Sequence, residues 1–168
     1  MICLHRRYAF GDPKANPIIP AESATGWADH DDALDRAGCV WLPIFMYDHG
    51  SQHLFTGPAL RSTCQHWQWD GGRVGYTYVT REQIRQNFGV QRVTKKTIAK
   101  VLGILNSEVE VYNQFINGDV YGFSIDDAMG NPVDSSWGYY GWDYAKQQAK
   151  DAFELYLLEH KIISEPAK

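Results

Sequence analysis

The densest run of side chains able to do chemistry lies between Asp48 and Asp70 and contains His49, His53, Cys64 and His66. Two histidines four apart, then a cysteine and a histidine two apart, supply four nitrogen and sulfur donors, the set that Zn²⁺ takes in a tetrahedron. Zinc on His49, His53, Cys64 and His66 is therefore one expectation. Against it, the spacing follows no established zinc pattern, and residues 50–72 read as loop, so no helical register sets His49 and His53 on one face. Solvated or hydrogen-bonded loop histidines are the plainer alternative. A nucleophilic reading pairs Cys64 with His49 or His66 and lets Asp48 or Asp70 orient the imidazole. No nucleophile elbow or protease signature surrounds Cys64. A small metal-dependent or Cys/His hydrolase-like enzyme would centre on Asp48, His49, His53 and His66.

A second constellation overlaps the first. Trp67 and Trp69 stand with Gln65 and His66 in a polar stretch that also carries Arg61 and Arg73. Large aromatics in a loop either pin it to the core or offer a rigid anchor to a partner, and Trp, Tyr and Arg are the types that dominate binding hot spots. Trp67, Trp69 and Arg73, with Tyr139, Tyr140 and Trp142 further along, are the candidate partner contacts. Base stacking beside Arg61 and Arg73 would make the chain a nucleic-acid binder instead. Arg81, Arg85, Arg92, Lys95, Lys96 and Lys100 form a basic run, read either as a solvated helix face or as a patch for phosphates or an acidic protein. Asp29, Asp31, Asp32 and Asp35 form an acidic run, a solvated face or a cation site. Gly71, Gly72 and Gly75 fall before and within a strand rather than opening a helix, so they do not make a phosphate cradle. No residue earns a catalytic assignment, and binding is preferred over catalysis.

These side chains need a scaffold, and the composition supplies one. The chain has 168 residues, 44% hydrophobic and 21% charged, with seven Phe, six Trp and ten Tyr. That balance argues against disorder and fits one domain, residues 1–168, with a core that needs no disulfide or metal staple. A net charge of -4 gives no global reason to bind nucleic acid or an anionic membrane. The longest apolar stretch, residues 39–47, includes Pro43 and is far short of the about 20 residues of a membrane span. No apolar run follows the basic residues near Met1, and three widely spaced cysteines do not read as a disulfide framework. A reducing cytoplasm is expected.

The periodicities then place the elements. Residues 9–38 read as a loop-rich strap with one short acidic helix before Gly38, and residues 162–168 as a frayed tail. Residues 40–47 read as a buried strand, with Pro43 at an edge or bulge. Residues 73–80 alternate as a strand. Thr80 and Gln83 have capping-box spacing, and Gly89 stops that helix. From Thr94 to Gly118 the positions of Ile98, Val101, Leu102, Leu105, Val109, Tyr112, Phe115 and Ile116 mark an amphipathic helix. Residues 120–126 and 133–140 form a hairpin, with Tyr121, Phe123 and Ile125 on one face and Val133, Ser135, Trp137 and Tyr139 on one face. A last helix starts near Asp143 and carries Ala145, Ala149, Ala152, Phe153, Tyr156 and Leu157 on one stripe. The order predicts an α+β fold: a largely antiparallel sheet with two or three helices packed on one face. The aromatics this leaves unexplained are Trp67, Trp69 and the run from Trp137 to Trp142.

Several strings, ICLHRRYAFGDP, LPIFMYDHG, GRVGYTYVTRE, EVEVYNQFINGDVYGFSI and VDSSWGYYG, occur in that order from Ile2 to about Ala149. Together they resemble an uncharacterised family of small proteins encoded by bacteriophages and other mobile elements. The chain departs from that pattern between His49 and Gly71, where a longer insert reads CQHWQWDGG in place of a Cys, Pro, Trp, Asp series. The resemblance brings no catalytic residues. It implies a product of the bacterial cytoplasm that binds and modulates or inhibits a host complex, including counter-defence of the anti-CRISPR or antirestriction type.

Overall fold

Strand β4 (Gly71–Val79) organises the N-terminal part of the chain, because its alternating side chains feed two different hydrophobic clusters. The computed structural model describes residues 1–12, 17–57 and 64–160, which divide into two compact units, Met1–Asn113 and Gln114–Lys168. In the first, β1 (Ile2–Cys3), β2 (Val40–Asp48) and β3 (Gln52–Thr56) join β4 in one antiparallel sheet, ordered β1-β4-β2-β3. The class is α+β, as the sequence predicts. β1 runs against Gly75, where a Cβ would collide with the Ile2 carbonyl oxygen, so this approach requires glycine.

Opposite faces of the sheet take different helices, where the sequence order predicts helices on one face. Trp27 and Leu34 of α1 (Trp27–Arg36) pack with Trp41, Tyr76 and Tyr78. On the other face, Val40, Leu42 and Val79 meet Ile84 and Phe88 of α3 (Arg81–Phe88) and Ile98, Val101 and Leu105 of α4 (Lys95–Ile116). Leu34 and Ile84 are wholly buried, and each such side chain contributes about 1.5–3 kcal/mol. The capping box is formed: the Gln83 N–H donates to Thr80 Oγ1 at 3.2 Å and the Thr80 N–H to Gln83 Oε1 at 2.9 Å. Thr94 caps α4 through the Thr97 N–H, at 3.2 Å.

Within residues 50–72 the expected loop contains β3 and a one-turn helix, α2 (Trp67–Asp70). Leu54 and Phe55 are adjacent and both buried, so β3 carries little of the alternation that marks a strand in sequence. Asn113 on α4 covers the strand's outer edge: its Oδ1 accepts the Leu54 N–H at 3.0 Å, while Asn106 bonds the Thr56 hydroxyl. Pro43 behaves as expected. Among the described residues β3 pairs with β2 only from Ile44 onward, and a register shift against β4 falls between Ile44 and Phe45.

Among its ties to the rest of the unit, the strap's Gly11 N–H donates to the Tyr112 hydroxyl at 2.8 Å and its Ile18 N–H to the Tyr76 hydroxyl at 3.2 Å. The predicted tail, residues 162–168, and Arg61 lie outside the described residues.

The second unit is a hairpin and a helix. β5 (Val120–Asp126) and β6 (Pro132–Tyr140) make a two-stranded antiparallel sheet, and α5 (Trp142–Glu159) packs on it, one residue ahead of the predicted start. One expectation fails here. Tyr139 pairs with Tyr121 but Trp137 pairs with Gly122, so Gly138, at φ +94°, is an extra residue in the ladder. This bulge reverses the alternation and sends Trp137 to the face opposite Tyr139. Ile125 and Ala145 are the buried hydrophobics of this unit among the described residues. Among the described residues no helix is long and apolar enough to cross a membrane.

Candidate functional site

The histidines of the Asp48–Asp70 stretch are drawn to different neighbours. His49 follows β2, stacks on Tyr47 at 5.8 Å and holds Asp70 Oδ2 with Nδ1 at 3.0 Å. His53 on β3 faces Asn113, whose Nδ2 lies 2.9 Å from the ring Nδ1. His66 has a left-handed backbone and is exposed, and its carbonyl accepts the Trp69 and Asp70 N–H groups that open α2. Cys64 is a half-exposed free thiol. Among the described residues no group of three or more His, Cys, Asp or Glu could hold a metal ion, so the four proposed zinc donors do not converge.

Asp48 and Asp70 have separate tasks. The Tyr8 hydroxyl donates to Asp48 Oδ2 at 2.7 Å, Arg7 Nη2 to the same oxygen at 3.2 Å, and Gln52 Nε2 to Oδ1 at 3.1 Å. The Tyr8 and Gln52 hydrogen bonds hold this carboxyl below the usual range of aspartate, and the same bond pushes the Tyr8 phenol up. The Asp70 carboxylate orients the His49 ring. Arg7, Asp48, Trp69 and Asp70 line a shallow recess of about 270 Å³.

The two tryptophans of α2 divide the roles that the sequence left open. One residue subtends 100° on a helix, so positions two apart point to nearly opposite sides. Trp67 turns inward between Phe45 and Phe55, at ring distances of 6.2 and 5.7 Å, and its ring lies where a Cβ on Gly71 would stand. Trp69 is 79% exposed. Trp67 pins the loop, and Trp69 faces away from it.

Arg73 corrects the sequence reading. Its guanidinium makes two hydrogen bonds to Asp31, at 2.6 and 2.8 Å, and lies over Trp27 at 4.5 Å and Trp41 at 5.6 Å, leaving 12% of the side chain exposed. A cation so occupied is a clamp within the fold rather than a contact for a partner. The acidic run is also engaged piecemeal. Asp29 accepts from Thr25, Asp31 from Arg73, and Asp35 from the Trp41 indole at 2.9 Å. Burial pushes the Cys3 and Cys39 thiols up, away from reactivity. Arg81, Arg85, Arg92, Lys95, Lys96 and Lys100 are all exposed, with Lys100 over the Phe88 ring at 5.5 Å.

On the second unit the predicted contacts separate by face. Tyr139 lies inward, stacked on Phe123 at 5.8 Å, its hydroxyl donating to Ser136 Oγ at 2.8 Å. Tyr140 meets Phe115 edge-on, and Trp142, 59% exposed, meets Tyr121 edge-on. Trp137 is 76% exposed, with only the bare backbone of Gly122 opposite it. The Gly at position 138 was its sequence signal, since an isolated glycine in a strand pattern marks a bulge. A cleft of about 430 Å³ runs between Val133 and Asp134 of β6 and Leu155, Tyr156 and Glu159 of α5. The unit is strongly acidic, with nine Asp and Glu against four Lys. No family model, no curated protein and no solved structure matches the chain.

Proposed function

We propose that the chain is a protein-binding module of phage or mobile-element origin, which modulates or inhibits a host complex in the bacterial cytoplasm by occupying one of its surfaces. The observation that carries this reading is Trp137, which lies across Gly122 on the outer face of a hairpin and is 76% exposed. A two-stranded hairpin is marginal alone, and this one keeps large aromatics outside a very small core, an arrangement that suits a surface completed by a partner. Trp142 and Tyr140 extend the same aromatic run, and Trp69 supplies an anchor on the other unit. The excess of carboxylates on the hairpin unit fits a basic partner surface, such as the nucleic-acid groove of a host or defence nuclease.

Affinity capture from bacterial lysate tests the proposal. The wild-type chain is expected to retain a defined species that Trp137→Ala loses and that raised salt releases. Equal retention by wild type and Trp137→Ala, or retention that salt does not affect, counts against it.

A further inference from the structure

Two pairs of cations in the N-terminal unit meet where α3 and α4 touch. Arg81 and Arg85 stand four positions apart on α3 with Phe88 three further on, so the three share one stripe of that helix. Lys96 and Lys100 repeat the four-residue step on α4, on the side turned away from Ile98, Val101 and Leu105, which pack into the core. The pairs are joined by Lys100, whose Nζ lies 5.5 Å from the centre of the Phe88 ring. All four cations are exposed, and among the described residues none of them joins an ion pair. Residues 81–100 hold one carboxylate, Glu82, against six Lys and Arg, so the charge stays uncompensated locally although the whole chain is acidic. At ordinary ionic strength the field of a charge fades over about 8–10 Å, so remote carboxylates do little to cancel it.

We propose that this face binds the phosphate backbone of a nucleic-acid duplex without reading its sequence. Composition separates that partner from the others a basic face could take. A protein partner asks for an apolar centre with few charges, but no large hydrophobic side chain of residues 81–100 is exposed. A single strand asks for aromatic rings on which its bases stack, and the one ring here, Phe88, is half-buried and lies under Lys100. What remains is cations about 6 Å apart along each helix, which suits a regular polyanion. Contacts to phosphates position a protein and carry no sequence information. This face belongs to the N-terminal unit, so its role is independent of what Trp137 docks against.

A short mixed-sequence DNA duplex, its RNA counterpart, one of the separated strands and polyglutamate are the probes, each labelled and titrated with the full chain. A duplex of either kind is expected to bind at about 50 mM salt, with log K falling against log salt at a slope of about -3 to -4, the value for four phosphate contacts. Arg85→Ala and Lys96→Ala are each expected to reduce that slope by about one and to weaken binding about three- to ten-fold at this salt, while Trp137→Ala binds as wild type does. Should a variant not fold, the wild-type slope and the preference for duplex over single strand decide alone. Absence of duplex binding at that salt overturns the proposal, as does unchanged binding when Arg85→Ala and Lys96→Ala are combined. Tighter binding of the single strand or of polyglutamate overturns it too, and assigns the face to stacked bases or to an acidic protein.

Discussion

Arg73 and Asp31, forty-two positions apart in the chain, close on each other through two hydrogen bonds of 2.6 and 2.8 Å. The pair joins the start of β4 to α1, and the tryptophan rings beside it shield it from water, so it couples more strongly than an exposed ion pair would. A double-mutant cycle on Arg73→Met and Asp31→Asn, read by urea unfolding, is expected to give a coupling of about 1–3 kcal/mol. Lysine keeps the charge but loses the fork and the stacking, so Arg73→Lys alone is expected to destabilise. Coupling near zero would show that the pair is incidental.

The two tryptophans of α2 are expected to separate stability from binding. Trp67→Ala removes a ring packed on Phe45 and Phe55 and is expected to cost about 2 kcal/mol, below the 3–5 kcal/mol of a fully buried aromatic. Trp69→Ala is expected to stay within about 0.5 kcal/mol of wild type. Thermal unfolding of both variants checks the contrast, and equal losses would contradict it.

Asp48 predicts a pH dependence with a definite sign. The Tyr8 bond lowers its folded pKa, so the stability it contributes is complete above the ordinary aspartate value of about 4 and is lost as pH falls through the depressed folded value. Tyr8→Phe is therefore expected to lower the melting temperature at pH 7 and to converge on wild type in acid, once Asp48 is protonated in both folded and unfolded chains. A gap that stays constant from pH 7 down through that range would remove the hydrogen bond as its cause.

What the sequence discloses of this molecule is what neighbours in the chain decide. The Thr80–Gln83 capping box and the α4 stripe through Val101, Leu105 and Val109 depend on contacts three and four residues apart, and both are found where the spacing puts them. β3 is not legible in the sequence because Leu54 and Phe55 are buried side by side, a pattern that two-residue periodicity does not mark. Strand alternation puts Trp137 on the face of Tyr139, and one residue, Gly138, reverses it. The role of Arg73 was illegible because Asp31, Trp27 and Trp41 reach it only through tertiary packing. At the candidate site, His49 and Asp70 meet as one sequence reading allowed, while His53 goes to Asn113 on α4.

The bulge itself is open to test. Gly138→Val places a branched side chain at φ +94° and is expected to destabilise the hairpin unit by more than about 1 kcal/mol, with loss of the Tyr139–Phe123 contact. Chemical shifts of Phe123 and Tyr139 report the change, and an unperturbed hairpin in Gly138→Val would mean that the bulge does not set the face of Trp137.

Site-specific photo-crosslinking in bacterial cells tests most directly whether the outer face of the hairpin is a docking surface. A photoreactive phenylalanine is placed at Trp137, with a control at the exposed Arg85 on α3. A discrete adduct with one heterologous protein from position 137, and none from position 85, is the predicted result; no adduct from position 137, or the same adducts from both positions, would contradict it.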